Sequence, residues 1–285
     1  MPELPEVEVI RRDLEKEIVG RRIKDAEIRP GTNAMKVVPR HGRRKEFSDL
    51  LVGAKIERID RRGRRLFLDL DTDDALVIAL GSAGRLVKTS TSEEIAPHTH
   101  VVIEFTIGGQ LRYVDSKLTG EVFVMPRSEL DKDKDAGRLG SSIDPLDNGQ
   151  PITWHQFSSL LEEGKTGLKK LLTDEAFVVG LGNMYSDEIL FSAGIRYDRQ
   201  SDKLSSQDVR RLYRALMETL QEAVKARGTS WGDDGFTDLS GTPGEYQLEL
   251  KVYERDGEPC RRCRSEIVKE KFDGGFTYFC PQCQP

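Results

Sequence analysis

The sequence predicts an α+β protein: a leading helix, an N-terminal β-sandwich, a helical region and a small β-hairpin at the end. Three observations predict it. Short strand-like segments recur at regular spacing between residues 20 and 114, the pattern of sandwiched sheets. From Thr153 onward the apolar residues shift to helical spacing. The only four cysteines, Cys260, Cys263, Cys280 and Cys283, close the chain as C-x2-C-x16-C-x2-C. Two such knuckles bring four thiolates into a tetrahedron, so one structural Zn2+ is expected, with no open position for water. Two disulfides are the alternative; the expected lack of a signal peptide and of further cysteines argues against them.

The run Met1-Pro2-Glu3-Leu4-Pro5-Glu6 contains two residues without an amide N–H. An extended lead-in is expected, with helix over 7–17 on an apolar stripe of Val7, Ile10 and Leu14. Glu6 suits the positive end of that helix. Strands are expected at 23–28, 55–59, 66–70, 76–80, 100–107 and 111–114, with Gly108-Gly109 turning the last pair. Residues 126–150, rich in Asp, Lys, Ser, Gly and Pro, read as a linker. Helices follow at 154–163 behind Thr153, at 168–172, at 184–192 and at 205–226, the last capped by Ser205 or Ser206. The glycine-rich stretch 228–246 lacks periodicity and reads as a long flexible loop. Strands 267–272 and 276–279, split by Asp273-Gly274-Gly275, form a hairpin too small to fold without its metal. The expected domains are 1–130, 131–250 and 251–285.

At 285 residues and 37% hydrophobic content, with no apolar run near 18 residues, no membrane span is expected. A formal net charge of −5 argues mildly against nucleic-acid binding. The distribution answers this: residues 1–65 hold 18 Lys+Arg against 12 Asp+Glu, while residues 66–250 hold 19 against 31. One basic face on an acidic protein suffices for phosphate contact, with steep salt dependence. A solvated surface is the plainer reading of any single cluster, such as residues 40–45.

Removal of Met1 would make Pro2 a free secondary amine beside the Glu3 carboxylate. A terminal α-amine titrates at roughly 7.7–8.0, so much of it is unprotonated near neutrality. Added to a sugar aldehyde carbon, a secondary amine can only become an iminium cation, an electron sink that eases elimination at the next carbon. A stiff N-terminal cap is the alternative reading of Pro2 and Pro5. Further on, Gly180-Leu181-Gly182-Asn183 joins two apolar helical stretches. Glycines let backbone approach a ligand, N–H groups opening the next helix point at an anion, and Asn183 adds a donor. A plain helix–helix turn is the alternative.

Taken together, M-P-E-L-P-E-V-E at the start, R-R-G at 61–63, L-G-x-x-G-R-L at 80–86, L-K-x-L-L at 168–172, V-V-G-L-G-N-M-Y at 178–185 and F-C-P-Q-C-Q at 279–284 resemble the formamidopyrimidine-DNA glycosylase and endonuclease VIII family over nearly the whole chain. The resemblance implies a base-excision repair DNA glycosylase with AP lyase activity, acting on damaged DNA as a monomer in the bacterial cytoplasm at the nucleoid. It implies a helix-two-turn-helix element in the helical domain and a DNA cleft between the two main domains. By resemblance Pro2 attacks C1′, Glu3 exchanges protons with the sugar, and successive β- and δ-eliminations cut the strand. By the same resemblance Arg64 joins Pro2 and Glu3 as a catalytic residue, while Glu6, which holds the site's electrostatics, belongs with Lys169, Asn183 and Lys117 to the DNA-binding set. The family commonly has lysine where this chain has Arg64, and arginine clamps phosphate as a rigid fork. Its intercalating methionine, orphan-base arginine and phenylalanine wedge align with Ser82, Lys117 and Thr119, and its hairpin-tip arginine with Gly275. Two hypotheses follow: an enzyme that prefers distorted or single-stranded DNA, or a damaged-DNA-binding paralogue with little glycosylase activity.

Overall fold

The computed structural model describes residues 2–31, 33–130, 132–133, 142–147, 149, 152–231 and 235–285. Met1, part of the expected linker at 126–150 and positions 232–234 of the expected loop lie outside the described residues. Two compact units divide the chain. One comprises Met1–Pro2, Glu6–Gly140 and Arg227–Gly244; the other comprises Glu3–Pro5, Ser141–Ala226 and Glu245–Pro285.

The first unit holds two four-stranded antiparallel sheets. One has the order β1 (Ile23–Ile28), β6 (Thr99–Phe105), β7 (Gln110–Asp115), β5 (Gly84–Thr89), and the other the order β2 (Ile56–Arg62), β3 (Arg65–Leu70), β4 (Asp74–Ala79), β8 (Glu121–Pro126). Alternate residues of both sheets, among them Ile28, Ile59, Leu68, Ile78, Ile103 and Val124, enter one core. Helix α1 (Leu4–Ile18) adds Val7, Ile10, Leu14 and Ile18, and α2 (Arg44–Leu51) adds Phe47 and Leu51. Each fully buried aliphatic side chain contributes roughly 1.5–3 kcal/mol. On the other face of the second sheet, Phe67, Val77 and Phe123 pack under Leu130 of α3 (Arg127–Leu130).

Four expectations change here. Helix α1 begins at Leu4 rather than near Val7, because the first turn makes no use of the N–H that Pro5 lacks. Strands β5 and β8 were not expected. Strand β5 is an edge strand whose Arg85 and Lys88 blur its alternation, and β8 is buried on both faces and so shows no alternation at all. The basic cluster at 40–45 runs into α2, whose inward face is only Phe47 and Leu51. The described part of 228–246 is a folded strap rather than a flexible loop. Leu239 enters the core, Asp238 accepts the N–H groups of Ser240 and Thr242 (both 2.9 Å), and Arg227 pairs with Asp13 and Asp238.

The second unit is helical, with α4 (Trp154–Gly164), α5 (Leu168–Leu172), α6 (Asn183–Ala193) and α7 (Ser206–Lys225). Thr153 and Ser205 close capping boxes on α4 and α7, supplying partners for the first N–H groups. Val209, Leu212, Leu216 and Leu220 bury one stripe of α7. Beyond it, β9 (Val268–Phe272) pairs with β10 (Gly275–Phe279) in an antiparallel hairpin. Asp273 and Gly274, at φ 42° and 77°, make the two-residue turn, the left-handed pair that matches strand twist. No described helix is long and apolar enough to cross a membrane.

Candidate active site and zinc hairpin

Within the second unit the chain start is tied to the turn before α6. The Leu4 N–H donates to the Gly180 carbonyl at 2.8 Å, and the Gly182 N–H donates to Glu3 Oε2 at 2.7 Å. A Cβ at Gly182 would lie 2.3 Å from Glu3 Oε1, so only glycine admits this approach. The N–H expected to face an anion therefore faces the Glu3 carboxylate, and the positive end of α6 favours its ionised form. Asn183 begins α6 with an exposed side chain. Its Nδ2 lies 3.4 Å from where a Cβ on Gly275 would stand, next to the hairpin turn.

Lys169 lies elsewhere than expected of a DNA contact. It is 0% exposed, and its Nζ donates to Asp187 Oδ1 at 2.8 Å and to the Phe276 carbonyl at 3.1 Å. Asp187 also accepts from the Thr277 hydroxyl (2.7 Å) and the Tyr278 N–H (3.0 Å). The pair thus pins β10 to α5 and α6. Burial pushes Lys169 below its ordinary value, opposed by the charges of Asp187 and Glu3. Burial likewise lifts Asp187 to about 6. As placed, the ammonium reaches no phosphate in solvent; it positions the hairpin and adds positive charge near Glu3.

In the first unit, Glu6 is 2% exposed and accepts the Thr229 N–H at 2.8 Å, which fixes the start of the strap. Arg64 is half-buried in the β2–β3 turn. That turn is anchored by Arg61, which donates to the Gly63 carbonyl at 3.3 Å and to the fully buried Glu8 at 2.9 Å. The positions aligned with the wedge do come together: the Ser82 N–H and hydroxyl lie 2.8 and 2.9 Å from Thr119 Oγ1. Lys117 is exposed beside them. Their loop is built on buried Asp115, whose two oxygens accept the N–H groups of Lys117 and Leu118 (3.0 Å each) and of Thr119 and Gly120 (2.9 Å each).

The cysteine sulfurs all lie within 4.8 Å of one another. Cys263 and Cys280 are 3.4 Å apart, and Cys260 and Cys283 3.9 Å apart. A tetrahedron with bonds of about 2.3 Å has edges near 3.8 Å, so the set fits one zinc. A disulfide needs about 2.05 Å, and none of the four is so bonded. With four thiolates the zinc is structural, and it closes the hairpin.

Family models match the three parts in order. The formamidopyrimidine-DNA glycosylase N-terminal domain matches residues 1–122, the H2TH domain 142–234, and the zinc finger found in FPG and IleRS 257–285. The formamidopyrimidine-DNA glycosylase of Heliobacterium modesticaldum is 41% identical over 295 residues, covering 100% of both chains. This chain belongs to the formamidopyrimidine-DNA glycosylase family. The corresponding protein of Pelotomaculum thermopropionicum is 37% identical, over 100% of this chain and 99% of that one. Among solved structures, the MutM (Fpg) protein of Thermus thermophilus superposes with a TM-score of 0.83 at 32% identity, covering 99% of this chain and 98% of that one. A complex of Lactococcus lactis Fpg with abasic-site DNA gives 0.85 at 31%, covering 99% of each.

For this family member, sequence reasoning missed the residues that act by holding others. Asp115, Asp187 and Glu8 are buried acids whose partners lie on other elements or on backbone. Only Asp115 left a local signal, an acid opening a turn-rich D-S-K-L-T-G stretch.

Proposed function

We propose that this DNA glycosylase and AP lyase removes damaged bases through an iminium on Pro2. The observation that carries the reading is the Glu3 carboxylate, buried and held by the Gly182 N–H one residue from Pro2. The Pro2 nitrogen bonds to C1′ as the C1′–base bond breaks, and the departing base takes the electron pair. Loss of the amine proton and opening of the sugar ring leave the iminium. The Glu3 carboxylate takes that amine proton and passes it to the ring oxygen as the ring opens; ionised again, it accepts a proton from C2′, which expels the 3′ phosphate by β-elimination. A δ-elimination follows at the 5′ side.

In this reading Arg64 and Asn183 hold phosphates, Lys117 faces the orphaned base, and Glu6 holds the site's electrostatics. Damaged DNA is the partner, the protein acts as a monomer at the bacterial nucleoid, and 1–130, 131–250 and 251–285 work as catalytic, helix-two-turn-helix and zinc segments. Ser82 and Thr119, bonded to each other, offer no apolar wedge, which favours substrates whose stacking is already broken: single strands, bubbles and distorted duplexes.

The second reading, a damage-binding paralogue, is favoured by one residue: Gly275 leaves the hairpin tip without a side chain for phosphate. Borohydride trapping on abasic-site DNA separates the two. The native chain should form a covalent adduct, and an N-terminal extension that converts the Pro2 nitrogen to an amide should abolish it. Absence of an adduct from a native chain that still binds abasic DNA would establish the binding-only reading.

A further inference from the structure

The hairpin carries a face that the reading above leaves unused. Because side chains alternate along a strand, Lys269 and Lys271 of β9 share one face with Phe276 and Tyr278 of β10, paired as Lys271↔Phe276 and Lys269↔Tyr278. Phe276 is 45% exposed although it sits in regular sheet. The Lys269 ammonium lies 4.4 Å from its ring centre and 5.3 Å from that of Tyr278. Lys271 is exposed beside it. Glu270, the acid between the two lysines, alternates to the opposite face and is taken by the Tyr197 hydroxyl at 2.5 Å. The acids that act on Lys269, Asp256 and Glu254, come from the segment before the first cysteine pair.

An exposed ring of this kind forfeits burial, yet its backbone is held more firmly than a surface position requires. The Phe276 carbonyl accepts from Lys169, and the next two residues donate to Asp187. The ring is thus presented on a rigid support, with the Lys269 ammonium 4.4 Å from its centre, Lys271 paired with it across the strands, and the Asn183 amide approaching the adjacent Gly275. Cation, aromatic face and cation in sequence are the chemistry that takes a nucleobase with its flanking phosphates.

We propose that Phe276 is a stacking platform for an unpaired nucleobase of the DNA, with Lys269 and Lys271 neutralising the phosphates on either side. This rests on the DNA-binding reading and deepens it, since a base can reach the ring only where pairing is already lost. The platform supplies contact at a hairpin whose first β10 residue, Gly275, has no side chain of its own.

The test uses the full-length zinc-loaded protein and a single-stranded oligonucleotide with a tetrahydrofuran abasic analogue flanked by 2-aminopurine. Stacking on Phe276 should change the 2-aminopurine emission on binding. F276A should bind about tenfold more weakly and lose that change, and F276W should keep both. K269Q and K271Q should each flatten the dependence of log Kd on log salt by about 0.7. Zinc content reports whether the hairpin is folded. If F276A loses zinc, F276L and F276W decide, the first keeping apolar bulk without a π-face. Equal affinity and emission for wild type and F276A, or for F276L and F276W, overturns the platform. Borohydride trapping is read in parallel on the same strand carrying a true abasic site, because the tetrahydrofuran analogue has no C1′ aldehyde from which an iminium could form. An adduct with no effect of the Phe276 variants rejects the platform alone. Variant-sensitive binding without an adduct rejects the lyase reading and leaves the platform standing.

Discussion

Glu3 owes its position to the absence of a side chain on Gly182. A methyl group there would meet the tip of the Glu3 side chain, not backbone, so the fold can yield by moving the carboxylate. The backbone of Gly182 is extended at φ −131°, which alanine adopts without strain. G182A is therefore expected to cost little stability and much activity, since a misplacement near 1 Å lowers rate about 100-fold. Single-turnover strand cleavage beside a thermal melt checks this; retained activity would show that the carboxylate works from a different position. Lys169 and Asp187 make the converse case, a pair whose loss costs the fold. Each was buried with its charge, so K169A or D187A alone is expected to cost roughly 3–5 kcal/mol, whereas the apolar double variant K169M/D187L should recover most of it. Urea melts of the four proteins decide, and additive single effects would reject the pairing argument. At this scale the sequence displayed the groups proposed to react, Pro2 and Glu3, and the metal-ligating cysteines, because their chemistry lies in residue type and spacing. It hid Asp187, whose role depends on donors 90 and 91 residues away.

Helix α1 shows what an element adds beyond its apolar stripe. Glu8 sits on it with no exposed surface and binds Arg11, Arg12 and Arg61, so the helix holds the β2–β3 turn that carries Arg64. Burial works against the charged form of Glu8. Hydrogen bonds and charge from Arg11, Arg61 and Arg12 outweigh it and hold the carboxyl below its ordinary 4.5. Because the folded value lies below the unfolded one, this stabilisation is complete above 4.5 and is lost as pH falls through the folded value. E8Q should lose on the order of 3 kcal/mol at pH 7 and show a flatter loss of stability toward pH 3. Parallel acid limbs for E8Q and wild type would assign the wild-type loss to other carboxylates. The zinc hairpin depends on its metal in the same way that α1 depends on Glu8: chelation should unfold it and abolish DNA binding, followed by circular dichroism and gel shift. Helices with clean stripes and caps, such as α7, were legible in the sequence. Strand β8 was not, because a strand buried on both faces has no period to read, and α2 was masked by its own charged outward face.

Across the whole chain, charge is uneven: a surplus of basic residues in the first 65 and a marked acidic excess in the 185 that follow. Binding should therefore weaken steeply with salt, and under the proposed function the cost of opening the helix, not the overall field, is what distinguishes one substrate from another. The family and its zinc could be read from motifs along nearly the full length, since each motif is local. The proposed preference for opened DNA rests on side chains that no local motif displays, and only the structure showed that Ser82 and Thr119 stand side by side and satisfy each other. In a paired duplex, an everted base leaves a hole whose lost stacking needs apolar surface to offset it. Two bonded hydroxyls provide none, and filling the hole with them would first break their own hydrogen bond. In single strands or bubbles the stacking is already lost, so the same pair carries little penalty. Cleavage of an abasic site should accordingly be faster in single-stranded than in well-paired DNA. S82M/T119F should narrow the gap by raising the duplex rate, while Asp115 keeps the loop in place. Single-turnover rates on matched single- and double-stranded substrates measure the gap directly. A clear preference of the wild type for intact duplex would mean that other side chains fill the hole.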